Sequence, residues 1–465
     1  MTFALTRRAL LAASASAALL LAACVTPPVP MAASAASPPI VFVHGNGDTA
    51  ALWTTTVWRF ESNGWPRERL HAIDVPYPLA RDDDTKEQPG RTSTTENMRY
   101  LAGEVDKVLR ATGASQVVLM GNSRGGNSIR QYIESGGGAA KVSHAILGGT
   151  PNHGVWADIN VRPNGEFNGA GAFLAGLNNP KGPNGDEVTP GPKWLTIRSD
   201  VNDKFAQPDG AWIGSKGTPT HVTFAGPELK GATNVVIAGI DHRETAYSPK
   251  AFEAAYRFIT GRAPATLSIT PQDRIVLDGK ASGLGLDNRP DGGNFSNNLP
   301  LAGASVEVYA TDPASGERRG AAVHRKTVGA DGRWGPFTAA PGTPYEFVIA
   351  APGFATTHIY RSAFPRSSDL VNLRAERLLG TDQAVLAVVT LTRPRGYFTL
   401  PQDRISLDGA APVGIVPGVG GVAQSKLIVK DTAMRTVVGE FNGERVVGRA
   451  WPAVDNHLVL LEIHQ

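Results

Sequence analysis

Gln116-Val117-Val118-Leu119-Met120-Gly121-Asn122-Ser123-Arg124-Gly125-Gly126 is the stretch that decides the fold. Gln116 to Met120 has the length and apolar content of a buried strand. Gly121 to Gly125 is a G-x-S-x-G motif, and Ile129, Tyr132 and Ile133 then recur at helical spacing. A strand that turns this sharply into a helix holds its central residue in a strained conformation. Side chains two positions to either side would collide with neighbouring elements, so Gly121 and Gly125 are required there, and an extra glycine, Gly126, follows. The result is a serine hydroxyl exposed above the sheet, at the positive end of a helix.

The neighbouring sequence carries the same rhythm. Ile40 to His44 is an apolar run that ends in glycine, as a buried parallel strand does. His71 to Val75 reads as a second strand. Ser93-Thr94-Thr95-Glu96 fits a capping box, Met98, Leu101, Val105, Val108 and Leu109 keep helical spacing, and Gly113 closes the helix. Strands are expected at Val142 to Leu147, Trp194 to Ile197, His221 to Phe224 and Asn234 to Ala238, with a last helix over Ala251 to Ile259. Alternating strands and helices predict an α/β domain over 39–262, a mostly parallel sheet with helices on both faces.

A serine is a weak nucleophile at neutral pH. It needs a base, and the base needs an orienting group. Of ten histidines, His44 and His153 sit in loops near the site. His71, His144 and His221 lie in or beside strands, and His324, His358, His457 and His464 belong to the C-terminal half. His242 follows the strand Asn234 to Ala238, on the loop beyond its carboxyl end, where open α/β sheets bind ligands. It is the expected general base. Two carboxylates follow the strand Trp194 to Ile197: Asp200 near its end and Asp203 further on. Asp241 is a poor candidate, because a neighbour on an extended segment points away from His242. Charge developing on a carbonyl oxygen needs backbone donors. The N–H groups of Arg124 and of Asn46, in His44-Gly45-Asn46-Gly47, are the expected pair, with Gly47 as the alternative to Asn46.

From about Ala263 to Gln465 helical periodicity fades. Ser305 to Tyr309 and Tyr345 to Ile349 alternate with period two, and Asp312-Pro313, Asp331-Gly332 and Pro341-Gly342 mark turns. This predicts an all-β, sandwich-like region over 263–465, with its core at about 300–395. Pro271 to Ile275 and Leu277 to Gly279 recur as Pro401 to Ile405 and Leu407 to Gly409. The echo reads as two equivalent strand-turn units that bracket the sandwich or pair with each other. Two acids per copy are few ligands for a Ca²⁺ site.

The 465 residues include 52 Gly, 34 Pro and a single Cys. Hydrophobic residues at 42% exclude wholesale disorder. A net charge of +3 without a long basic block gives no argument for nucleic acid. One cysteine excludes an internal disulfide and a Cys-based zinc cluster. That cysteine closes Leu21-Ala22-Ala23-Cys24, after Arg7-Arg8 and an apolar run of about 15 residues, too short to cross a bilayer comfortably. Residues 1–24 read as a signal peptide, with either a twin-arginine or a general export route. Residues 25–38 read as a flexible tether.

These motifs resemble two known patterns. Leu21-Ala22-Ala23-Cys24 resembles a bacterial lipobox, which implies acylation of Cys24 and a membrane-anchored lipoprotein, the alternative being a secreted protein. Val43-His44-Gly45, Gly121 to Gly125, Gly149-Thr150-Pro151-Asn152-His153-Gly154 and Gly239-Ile240-Asp241-His242 resemble the α/β-hydrolase superfamily, and within it bacterial lipases and carboxylesterases. The resemblance covers Ile40 to about Gly261. It favours Asp203 over Asp200, because Phe205 and Pro208 follow it as in the acid loop of related hydrolases. It implies a Ser123-Asp203-His242 triad, an acyl-enzyme, an oxyanion hole at Asn46 and Arg124, and no cofactor or metal. Arg124 stands where such lipases often carry His or Gln. The stretch from about Gly303 to Phe354 resembles a carboxypeptidase-regulatory or transthyretin-like sandwich. The whole plan resembles an archaeal lipase arrangement whose added domain engages lipid. Val155 to Pro192, with Trp156, Ile159, Phe167, Phe173, Leu174 and Leu177, reads as an apolar lid or as an irregular loop. The expected function is hydrolysis of lipid or similar acyl esters. The alternatives are depolymerisation of a polyester and a non-catalytic surface-binding lipoprotein.

Overall fold

The computed structural model describes residues 37–200, 202–210, 216–217, 220–223, 225–285 and 296–465. Cys24, the signal peptide and most of the tether lie outside the described residues. Six strands build the first sheet: β1 (Ile40–Val43), β2 (Leu70–Ile73), β3 (Val117–Asn122), β4 (Val142–Gly148), β5 (Lys193–Ser199) and β6 (Thr233–Ile237). Their order is β2-β1-β3-β4-β5-β6, and every pair is parallel. The strand expected from His221 does not form over residues 221–223, and His221 itself has φ 55°. Phe224 lies outside the described residues.

Alternation along the strands gives the sheet two apolar faces. Ile40, Phe42, Val118 and Met120 meet Val57 and Phe60 of α1 (Thr54–Ser62) and Phe252 and Tyr256 of α6 (Pro249–Thr260). On the other face Val41, Val43, Val117 and Leu119 meet Leu101, Val105 and Val108 of α2 (Thr94–Thr112). Ile129, Tyr132 and Ile133 of α3 (Arg124–Ser135) share that face. The capping box of α2 is formed: Ser93 accepts from the Glu96 N–H, and Glu96 accepts from the Ser93 N–H at 2.7 Å. Gly113 closes the helix at φ 67°. Two shorter helices complete this part, α4 (Ala172–Leu177) and α5 (Glu244–Tyr247).

Strand order positions the site. β1 lies between β2 and β3, so the chain leaves β1 to one side and returns to the other. The carboxyl ends of β1 and β3 therefore flank a crevice at a topological switch point. Val43 pairs with Gly121, which sets the loop 44–47 beside Ser123.

The C-terminal half is β-rich. One seven-stranded sheet runs His324–Thr327, Ser305–Ala310, Tyr345–Ala350, Thr356–Arg361, His457–Glu462, Ala387–Thr392, Gln424–Val429. It reaches past the expected sandwich core, because His457–Glu462 pairs in parallel with both Thr356–Arg361 and Ala387–Thr392. The echoed segments do not pair with each other. Ile275–Leu277 pairs with Phe337–Ala339, and Ile405–Leu407 with Thr436–Phe441. Their aspartates each hold an arginine, Asp278 to Arg333 and Asp408 to Arg435 at 2.8 and 2.6 Å.

The two halves share a core. Trp58 of α1 is buried among Trp334, Phe347 and Phe364 of the β half, and its indole N–H donates to the Ser367 carbonyl at 2.8 Å. Asn298 donates to the carbonyls of Asp48 and Val75, both at 2.9 Å.

Candidate active site

Ser123 stands at φ 53°, ψ −120°, between β3 and α3. A non-glycine residue at positive φ costs about 1–3 kcal/mol and persists only where its surroundings fix it. Here the Ser123 N–H donates to the Gly148 carbonyl at 2.8 Å. The glycines are steric necessities. A Cβ on Gly125 would lie 2.4 Å from the Val43 carbonyl oxygen, and one on Gly126 1.9 Å from the Thr150 hydroxyl. Gly121 is as tight, 2.7 Å from the Gly125 carbonyl carbon.

His242 sits on the loop between β6 and α5. Its Nδ1 lies 2.8 Å from Asp203 Oδ2, and both side chains are nearly buried. The other Asp203 oxygen accepts the Phe205 N–H at 2.9 Å. Asp200 does not reach the imidazole; its Oδ1 accepts the Gly239 N–H at 3.0 Å and so ties the ends of two loops together. His242 Nε2 is buried and has no hydrogen-bond partner among the described residues. Ser123, Asp203 and His242 line one cavity of about 130 Å³, whose wall also includes Leu147, Val155 and Ile197.

Asn46 lines this cavity as well. Its side-chain oxygen accepts the Ala80 N–H at 2.7 Å, which fixes the loop, and its own N–H has no partner among the described residues. The Gly47 N–H is already committed to the Pro78 carbonyl at 3.2 Å. Arg124 opens α3. His44 takes a structural place: its Nε2 accepts the Val75 N–H at 3.0 Å, so its Nδ1 donates to the Gly45 carbonyl. Burial holds its pKa below the ordinary value, which keeps it neutral.

Two contacts of the site have no signature in the motifs. Asn122, beside the serine, donates to the His242 carbonyl at 3.2 Å and to the Thr245 hydroxyl at 3.1 Å. It ties the histidine loop to the serine turn. The Phe205 ring meets the His242 imidazole edge-on, with centroids 4.6 Å apart.

The Arg124 side chain turns away from the cavity and is buried. Its Nε lies 2.7 Å from Glu166, and its Nη atoms donate to Pro78 O, Thr92 Oγ1 and Thr92 O. Asn127 adds a second bond to Glu166 at 3.3 Å. Glu166 belongs to the stretch 155–192, so this pair fastens that segment to α3. Within it Trp156, Leu174 and Leu177 are buried, and Ile159 alone of its large apolar residues stands well exposed, at 55%. The segment contributes Val155 and Phe167 to the cavity wall. Removing one member of a buried pair strands the other. Glu166→Gln is therefore expected to lower stability by about 3–5 kcal/mol, read as a shift in denaturant midpoint at constant slope. A midpoint equal to wild type would show that the pair does not fasten the segment.

Among the described residues no group of three or more His, Cys, Asp or Glu is placed to hold a metal ion. No helix among them is long and apolar enough to cross a membrane.

Comparison with known proteins follows the same division. Residues 37–174 match the family Lipase (class 2), and residues 273–378 match the Lipase C-terminal domain. Among solved structures, the chain is similar to the mature form of Bacillus licheniformis lipase BlEst2, at 20% identity and TM-score 0.34, over 48% of this chain and 93% of that one. For the propeptide form the values are 16% and 0.35, over 69% and 90%. The esterase RhEst1 from Rhodococcus sp. ECU1013 gives 17% and 0.29, over 49% and 92%. With a class 2 lipase match over the segment that carries the strained serine and a lipase C-terminal domain match behind it, the chain is a carboxylic ester hydrolase with an α/β-hydrolase core.

Proposed function

We propose that the chain cleaves acyl esters through a Ser123-His242-Asp203 triad and a covalent acyl-enzyme. The observation that carries this reading is the 2.8 Å contact of Asp203 with His242 Nδ1, which leaves Nε2 without a partner in the cavity that Ser123 lines. Nε2 takes the proton as Ser123 Oγ attacks the carbonyl, and returns it to the departing alcohol. Asp203 holds the imidazole in the tautomer with its proton on Nδ1 and stabilises the cation that forms. The backbone N–H groups of Asn46 and Arg124 receive the negative oxygen. Water then repeats the sequence and frees the acid. A fluorophosphonate should label the wild type stoichiometrically, and an unlabelled wild type removes the reading. Rates on short and long acyl esters, emulsified triacylglycerol and polyester film then assign the substrate. We take lipid or similar acyl esters as the first reading, and polyester as an outcome of that panel.

The same proposal extends to location. Acylation of Cys24 anchors the exported protein to a membrane, and the β-rich half lies toward the lipid. Cys24→Ala is expected to move the protein from membrane to soluble fractions. An unchanged membrane pool overturns the anchor.

A further inference from the structure

We propose that Arg393, from the β-rich half, is a positioning residue for the His242 loop, so that the C-terminal region completes the active site mechanically. The inference rests on the triad reading above.

Asp241 is the hub. It is fully buried and immediately precedes His242. Its Oδ1 accepts the N–H groups of Arg243 and Glu244, at 2.7 and 2.8 Å, which shapes the turn that carries the imidazole. Its Oδ2 accepts from two groups of the β half, Arg393 Nη1 at 3.1 Å and the Tyr397 N–H at 2.7 Å. Arg393 also bonds Glu244 at 2.6 Å and the Tyr397 carbonyl. Only 4% of its side chain is exposed. The approach is close enough to need a glycine: a Cβ on Gly396 would lie 2.2 Å from the Tyr247 hydroxyl.

The acid loop is held from the same side. Asn202, next to Asp203, bonds the Thr399 hydroxyl at 3.3 Å and the Gly420 N–H at 3.2 Å. The Lys204 ammonium sits 3.9 Å over the Tyr397 ring and donates to the Gly421 carbonyl. The Arg243 guanidinium lies 4.9 Å from the same ring. One segment, 393–399, therefore grips both loops whose side chains meet at the His242–Asp203 contact. Arg393 touches neither the cavity lining nor the reacting atoms, so its effect on the rate runs through the placement of His242. A displacement of about 1 Å in such a group costs up to about a hundredfold in rate.

The test compares Arg393→Met, Arg393→Lys, Glu244→Gln and Arg318→Met with wild type on p-nitrophenyl butyrate, below each variant's unfolding midpoint. Arg393→Met is expected to lower kcat about tenfold or more with KM within about twofold. Arg393→Lys keeps the charge and is expected to recover most of that loss. Glu244→Gln, the milder change, is expected to lower kcat about threefold with KM unchanged. Arg318→Met removes the partly exposed partner of the buried Glu346, an ion pair away from the cavity, and is expected to lower the unfolding midpoint while kcat stays at the wild-type value. A folded Arg393→Met with wild-type kcat overturns the inference, as does an equal kcat loss in Arg318→Met. If Arg393→Met does not fold, unchanged kcat in Glu244→Gln overturns it. A wild type that turns over no ester removes the triad reading and this inference together, whereas an active wild type with unaffected variants removes this inference alone.

Discussion

Ser123→Ala is expected to abolish fluorophosphonate labelling and to cut ester turnover by about 10⁴-fold or more, with the folded state intact. The size follows from the mechanism. Without the hydroxyl there is no acyl-enzyme, and what remains is unassisted attack by water beside the oxyanion donors. The intact fold follows from the geometry. The Ser123 N–H bond to Gly148 is a backbone bond and survives. The serine hydroxyl makes no hydrogen bond among the described residues, so alanine strands no partner. Its Cβ is already present, and a Cβ built on Gly45 falls 3.0 Å from it, so the packing there is unchanged. Positive φ strains alanine as it strains serine. Unfolding free energies should therefore agree within about 0.5 kcal/mol. Residual turnover near the wild-type rate would place the nucleophile elsewhere.

The serine turn was legible because its requirements are local. A strand that turns at once into a helix leaves no room for side chains at Gly121 and Gly125, and the chain must spell that constraint within five residues. The helix over 94–112 was legible for the same reason, since its capping box and its closing glycine are written at its own ends. The loop contacts were not legible. Asn122 reaches the His242 carbonyl across 120 residues, and Arg393 reaches Asp241 across 152. Neither residue type at its position carries a periodic or steric signal. The merging of strands into one seven-stranded sheet was hidden in the same way. His457–Glu462 alternates like any other strand, and its parallel partners are fixed by tertiary packing. The expected strand at His221 failed although its residues suit a strand, with His221 at φ 55° and Thr220 engaged with Gln207 and Val222. Asp241 was set apart as a partner of the imidazole, and reading it as a mere neighbour missed the bonds that make it the hub of the turn.

Asp203→Asn and Asp200→Asn should separate by about 10³-fold or more in kcat/KM, although the two aspartates lie three positions apart on one loop. Asp203 uses both oxygens: Oδ1 accepts the Phe205 N–H at 2.9 Å, and Oδ2 faces His242 Nδ1 at 2.8 Å. An asparagine that keeps the Phe205 bond turns its NH₂ toward Nδ1. The imidazole must then accept at Nδ1 and carry its proton on Nε2, where it has no lone pair left for the serine proton. The loss expected for the wrong tautomer is about 10⁴-fold in kcat, with KM little changed because the cavity wall is preserved. Asp200 has another task. Its Oδ1 accepts the Gly239 N–H at 3.0 Å, and the asparagine side-chain oxygen accepts that bond equally well. Asp200→Asn is therefore expected to stay within about tenfold of wild type. Steady-state kinetics on one soluble ester, with both variants checked for cooperative unfolding, decide the matter. Equal losses in the two variants, or a larger loss in Asp200→Asn, would take the acid role from Asp203.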